Sequence, residues 1–368
     1  MIHPNALRAL LVSALYAPSA LAQSGVLIGV STPTGYETLW VVRDASRPLR
    51  ATIRELLVPR VDGWWRLGTT PICSTGGPEG QWMEVLWRAR ADSAAVISEF
   101  CHELPRGELP LPIYVEDSAA ADSARKEMVR CSWSKIEINF VSPEYLAVGE
   151  QSGQTEECEP RGGRWYQSYY VSRFNGDSSL ALAELSSPRV DSIGRVALST
   201  AAKELAKDEV CASIVEGFDP SELFEIGAAW YPSRFGGRWM PVLVEQLGMG
   251  ECQLHPIVDI ALDTELTGHD VLRPSWAALS KQIRGLTDAF TSPGGDMVIV
   301  RATDSLFMYL GESEKLGRRI GAVPFPDRKI VMLQWARGRN VARWNKEIDA
   351  MLKRGLPTPR VVAPPKDP

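Results

Sequence analysis

Six cysteines, Cys73, Cys101, Cys131, Cys158, Cys211 and Cys252, all follow an export pattern, and this constrains the fold more than any other feature of the 368 residues. Met1 to Arg8 carries a single charge, and Ala9 to Ala17 is an apolar run closed by Pro18. Ala20-Leu21-Ala22 then places small residues at the −3 and −1 positions of a signal-peptidase site. The pattern predicts a signal peptide over residues 1–22 and a mature chain that works in the periplasm or outside the cell. No cysteine lies beside the cut, so no lipid anchor is expected there. In an oxidising compartment an even set of cysteines predicts disulfides. Fifteen connectivities are open, and locality favours Cys73 with Cys101, Cys131 with Cys158, and Cys211 with Cys252. Each closed loop stabilises the fold by on the order of 3 kcal/mol. A metal site is the competing use, but Cys252 and His255 supply only two of the four ligands zinc requires. No Cys-x-x-Cys occurs, so no redox role, metal or cofactor is expected.

Local pattern predicts a mainly antiparallel α+β fold. Tyr36–Arg43 and Leu49–Pro59 read as strands, Asp62-Gly63 as a hairpin turn, Trp64-Trp65 as the start of the returning strand, and Gln81–Arg90 as another strand. From Asp92, residues Val96, Ile97, Phe100, Cys101 and Leu104 fit one helical face that Pro105 ends. Asp117–Met128 suits a solvated helix. Lys135–Val141 alternates Ile136, Ile138 and Phe140 with Lys135, Glu137 and Asn139, the period of a half-buried strand. Tyr145–Glu150 and Trp165–Phe174 complete a hairpin around a long loop. Ser192–Val215 is helical in pattern, and Asp219-Pro220-Ser221-Glu222 starts a short helix. Trp239–Gln246, Ile257–Leu262, Met297–Arg301, Ser305–Leu310 and Lys329–Trp335 read as strands. Asn340 is placed to cap a final helix with Val341, Trp344, Ile348, Met351 and Leu352 on one face. The expected organisation is a β-rich domain over 23–188, an α+β domain over 189–355 divided from it near Pro188, and a disordered tail over 356–368.

Tryptophan recurs just after glycine, in Gly63-Trp64-Trp65, Gly80-Gln81-Trp82, Gly163-Arg164-Trp165 and Gly237-Arg238-Trp239. A turn that delivers an aromatic into a returning strand builds a hairpin with a ready-made core contact. The same rings, if exposed together, make a platform for sugars or a partner protein. Ser292-Pro293-Gly294-Gly295-Asp296, followed by Met297–Val300 and Asp304–Tyr309, resembles one repeat of a TolB-type β-propeller, although glycine stands where that family's turn has aspartate. The resemblance covers one short stretch, and a propeller needs several blades to close, so it implies a hairpin there and no more.

Sites of familiar chemistry are absent. Only His102, His255 and His269 follow residue 22, and no serine-hydrolase elbow, His-Glu-x-x-His, phosphate-binding loop or dinucleotide fingerprint occurs. Asp259, Asp263 and Glu265 form an acidic run flanked by His255 and His269, and its paired carboxylates suit either glycoside-type acid and base hydrolysis or calcium binding. Charge is uneven: residues 271–368 hold 17 Lys and Arg against 9 Asp and Glu, while the whole chain is net −5. That balance argues against a nucleic-acid partner. No run past the N-terminus is long and apolar enough to span a membrane. The leading expectation is a non-enzymatic exported protein that binds an envelope polymer or another protein. Its contacts are expected from Trp64, Trp65, Trp165 and Trp239, or from basic Arg318, Arg319, Arg337 and Arg339. The alternative is an exported hydrolase using Asp259, Asp263 and Glu265.

Overall fold

A computed structural model describes residues 24–71, 82–94, 96–98, 132–154, 164–174, 178–186, 190–223, 227–247, 252–312 and 315–362. Within them the chain is β-rich with a few helices. The N-terminal half forms β1 (Ser24–Thr32), β2 (Gly35–Val42), β3 (Leu49–Ile53), β4 (Leu56–Arg60), β5 (Gly63–Pro71), β6 (Trp82–Arg90) and β7 (Val96–Ser98). There follow β8 (Ser132–Val141), β9 (Tyr145–Gln154), β10 (Arg164–Arg173) and β11 (Ser179–Leu180). Next come α1 (Val190–Leu205), α2 (Ala212–Glu216), β12 (Trp230–Phe235), β13 (Arg238–Leu243), β14 (Glu245–Leu247), β15 (Cys252–Leu254), α3 (Thr264–Thr267) and α4 (Trp276–Gln282). The C-terminal part holds β16 (Leu286–Thr291), β17 (Met297–Ala302), β18 (Ser305–Glu312), β19 (Lys315–Pro324), β20 (Lys329–Arg337), α5 (Arg339–Arg354) and β21 (Arg360–Val362).

The main sheet runs β11-β10-β9-β8-β20-β1-β2-β3, and a second arm, β6-β5-β4, leaves β8 at its other end. β8 pairs in parallel with β20 at Val141 and with β6 at Trp133 and Ser134. The second arm folds back so that β4 reaches β2, and Thr38 joins them. Its buried hydroxyl donates to the Glu55 carbonyl at 2.7 Å and accepts from the Leu57 amide at 2.8 Å. The two arms thus form a barrel-like enclosure. Its interior holds Leu27, Trp40, Ile53, Leu56, Leu57, Leu67 and Met332. α5 covers one end of it. Val341, Trp344, Ile348 and Met351 are buried there at helical spacing, each contributing roughly 2 kcal/mol by burial. Trp344 meets Trp40 and Trp64, and Trp40 Nε1 donates to Asn345 Oδ1 at 2.7 Å.

The opposite face of the main sheet carries the second core. There Val26, Ile28, Leu39 and Phe140 pack with Trp230 and Trp239 of the β12–β13 hairpin, Leu198 of α1, and Met297 and Ile299 of the β16–β19 meander. Residues before and after Ser186 therefore share one core, and β20 from the C-terminal half completes the N-terminal sheet. Cys211 at the start of α2 is bonded to Cys252 on β15, as locality predicted. The other four cysteines, and the expected signal peptide, lie outside the described residues.

Most expected strands are present, with informative departures. β1 has no alternation to reveal it: from Ser24 to Val30 every residue is buried, because both faces of this strand are covered. Leu49–Pro59 is two strands, broken at Arg54-Glu55 where the second arm turns back. The helix expected from Asp92 is not formed at Val96–Ser98, which instead pairs in parallel with Arg360–Val362. That pairing also replaces the disordered tail expected there. The rest of the expected helix, and Asp117–Met128, lie outside the described residues. Asp219 caps only a single 3-10 turn over Pro220–Glu222. Ile257–Leu262 keeps the alternating burial of a strand but joins no sheet; isolated bridges at Ile257 and Leu262 and the Val258 amide donating to the Pro241 carbonyl at 2.9 Å hold it to its neighbours. Asn340 does not cap α5; Gly338 occupies that position with φ 54° and no side-chain bond. The blade-like hairpin is present as β17–β18 and extends to four strands, with Ser292 Oγ accepting from the amides of Asp296 and Met297 at 3.0 Å.

Candidate functional site

The barrel-like enclosure is open at the end away from α5, and a cavity of about 620 Å³ lies there. Its wall comes from the β1–β2 hairpin (Thr32, Thr34, Tyr36, Glu37), the β3–β4 bend (Arg54, Glu55), the end of β5 (Thr69, Thr70), Trp87 of β6, and Pro359. The directions of the strands explain this gathering. β2 and β5 run antiparallel, so β2 begins at the mouth and reaches α5 with Trp40, while β5 begins at α5 with Trp64 and ends at the mouth in threonines. Gly35 opens β2 with φ 129°, a conformation natural to glycine, and so lets Tyr36 and Glu37 follow directly from a two-residue turn.

Both carboxylates of the cleft are already engaged. Arg66, fully buried, holds Glu55 through its Nη2 at 2.6 Å from Oε1, and its guanidinium faces the Trp87 ring at 5.5 Å. Arg328 holds Glu37 at 3.1 Å, although the Glu37 Oε2 atom accepts no hydrogen bond among the described residues. Tyr36 Oη accepts from the Ile138 amide at 2.7 Å. Burial pushes the Tyr36 phenol well above its ordinary range, and the charges of Glu137 and Glu84 add to this; its hydroxyl stays neutral and keeps a proton to donate. Arg54 is exposed at the mouth and has no ion pair among the described residues. The cleft therefore offers hydroxyls, a phenol, an exposed guanidinium and an aromatic edge.

A second polar cluster lies where β8 and β20 are neighbours in the main sheet. Lys329 follows Arg328 and donates to Asn139 Oδ1 at 2.6 Å, with Glu137 at 3.4 Å. Its ammonium lies 5.1 Å from the centre of the Tyr231 ring, which stacks on Tyr169 at 4.9 Å. His255 meets Tyr169 edge-on, and burial, followed by the Lys329 charge, lowers its pKa below the ordinary 6.5.

The residues nominated from sequence are dispersed. Trp239 is buried at 2% exposure against Phe140. Trp64 and Trp65 are half-buried on the other core, where Trp64 Nε1 donates to Glu347 and Trp65 meets Phe174 edge-on. The backbone of Trp165 pairs with Gly153 in β10–β9. No common platform is formed by Trp64, Trp65 and Trp239. Arg318 and Arg319 are exposed on β19, while Arg337 and Arg339 are exposed at the junction of β20 and α5. Asp259, Asp263 and Glu265 are all exposed; Asp259 pairs with Arg238, and Asp263 caps α3 by accepting from the Glu265 amide at 2.9 Å. They do not line the cleft. Sequence reasoning missed Tyr36, Glu37, Arg54 and Thr70, which carry no motif and come from β2, the β3–β4 bend and β5. The one available cue was the cluster of threonines and glycine around Tyr36. A scan against protein families and a search of curated proteins both return no match.

Proposed function

We propose that this protein is a non-enzymatic exported binding module that takes a hydroxyl-rich ligand, such as a segment of an envelope glycan, into the mouth of its barrel-like half. The observation that carries this reading is the polar cavity of about 620 Å³ beside Trp87 and Tyr36. Barrel mouths are recurrent ligand sites, and few placed polar groups suffice to orient a ligand there. Threonine hydroxyls, the neutral Tyr36 phenol and the exposed Arg54 guanidinium complement sugar hydroxyls, while the edge of Trp87 adds an apolar contact. Arginines already occupy both carboxylates, which argues against a pair free for hydrolysis. The exposed Asp259, Asp263 and Glu265 give the hydrolase alternative little support. Export is supported by the Cys211–Cys252 bond, which fits an oxidising compartment.

Calorimetric titration with a panel of neutral and acidic oligosaccharides tests the reading. Binding that weakens at least tenfold in Thr70→Val and Glu37→Gln, but is unchanged in Asp259→Asn, is the expected result. Absence of binding across the panel, or binding indifferent to the cleft variants, overturns it.

A further inference from the structure

We propose that the cleft selects a saccharide that carries a carboxylate, with Arg54 as the group that receives the charge. The inference rests on the reading of the cleft as a site for a hydroxyl-rich ligand and adds the ligand's chemical class. Its basis is how the charges around the cavity are paired. Glu55 is matched by Arg66 and Glu37 by Arg328. Glu84 lies behind the wall, with its oxygens accepting from Thr69 Oγ1 at 2.6 Å and the Ile136 amide at 3.0 Å. Thr32, Thr34, Thr70, Trp87 and Pro359 bring no charge, and Tyr36 remains a neutral phenol. The remaining charge on the wall is the Arg54 guanidinium, for which the described residues provide no ion pair.

The position of Arg54 favours selectivity over structural use. It sits at the bend where β3 turns into β4, adjacent to Glu55, whose backbone carbonyl is held by Thr38. The backbone is therefore anchored while the side chain projects, exposed, at the cavity mouth. A guanidinium presents a planar fork that matches a carboxylate with two parallel hydrogen bonds. A neutral sugar can use the hydroxyls and the phenol but cannot satisfy that fork. An amino sugar meets a cation. A uronic acid or a lactyl-substituted sugar satisfies both parts of the site.

The test compares a neutral tetrasaccharide with the matching tetra-uronate, titrated by calorimetry into the full-length oxidised protein at 20 mM and 500 mM salt, with both concentrations order-of-magnitude choices on either side of ~100 mM screening. Expected is a preference for the uronate of about tenfold or more at low salt, shrinking at high salt, because one charged hydrogen-bonded contact is worth roughly that factor. Arg54→Gln lowers uronate affinity about tenfold and neutral affinity by much less, so the preference and its salt dependence are lost; Arg54→Lys restores part of both. Arg54 is exposed, so an unchanged Tm in both variants certifies the fold. Equal affinity for the two sugars, or a preference that survives Arg54→Gln, overturns the carboxylate assignment while leaving the cleft reading intact. Failure of both sugars to bind the wild-type chain overturns the cleft reading and the assignment with it.

Discussion

Replacing Arg234 with alanine is expected to cost more stability than any other single loss of charge in the described structure. The side chain is 4% exposed, and its Nε lies 2.7 Å from Asp288 Oδ2 while Nη1 lies 3.1 Å from Asp270 Oδ1. It also donates to the Ala289 carbonyl at 2.9 Å, and its guanidinium lies over both Trp239 and Phe290. The residue thereby ties the β12–β13 hairpin to β16. Alanine leaves two carboxylates with no counter-charge, one 5% and one 18% exposed. Breaking such a buried pair costs about 3–5 kcal/mol, against a total stability of about 5–15 kcal/mol. The exposed pair Arg238–Asp259 serves as the control, since Arg238→Ala is expected to cost about 1 kcal/mol or less. Urea unfolding of the oxidised protein at pH 7 reads the difference as a shift in midpoint at constant slope. The sign of the pH effect follows from Asp270. Burial already raises its pKa above 3.8, and removal of Arg234 raises it further, so the stranded Asp270 carboxylate protonates as the medium is acidified. The loss in Arg234→Ala should therefore shrink between pH 7 and the ordinary Asp range. A cost no larger than that of Arg238→Ala, or one that grows on acidification, refutes the reasoning.

Three further outcomes are expected. His255 and His269 both have pKa values lowered below 6.5, chiefly by burial and then by nearby cations; the neutral form is favoured in the fold, so their stability contribution is present above pH 6.5 and is lost as pH falls through the depressed folded values. Thermal melts from pH 7.5 to 5 check this, and His255→Gln should flatten part of the decline. Paired Cys211→Ser and Cys252→Ser substitutions open a loop of sequence separation 41 and should cost roughly 4 kcal/mol by the chain-entropy relation, measured by chemical unfolding. Ending the chain after Leu356 removes Pro359 from the cleft wall together with β21, which is held by only three register pairs to β7. Stopped-flow titration should then show faster ligand entry and faster release, with the fold retained because isolated two-stranded pairs contribute little by themselves.

Legibility followed the range of the forces involved. The hairpins and helices that depend on neighbours in sequence could be read directly: Ile136, Ile138 and Phe140 by their alternation, Val341 to Met351 by their helical spacing, and the Gly236-Gly237 turn by the positive φ angles it requires. Proximity in sequence also identified the Cys211–Cys252 bond. Local pattern misled where a distant partner decided the outcome. Val96-Ile97-Ser98 carries helical spacing but is drawn into a ladder by residues more than 250 positions away. Ser24 to Val30 carries no period because two cores press on it from opposite sides.

The cleft belongs to the same class of long-range outcome. Its residues come from β1, β2, the β3–β4 bend, β5, β6 and the segment before β21, and no two of the decisive side chains share a motif. The amino-acid sequence alone determined the locally patterned strands and helices, the mainly antiparallel hairpins, one covalent staple and the expectation of export, because these follow from residue type and short spacing. Only the tertiary structure decided that Trp64 and Trp65 would lie on one core and Trp239 in the other, that Asp259, Asp263 and Glu265 would face open solvent, and that Arg54 would have no ion pair among the described residues at the mouth of a polar cavity. Those outcomes depend on which distant groups neutralise or bury one another, and that is settled by packing across the sheet.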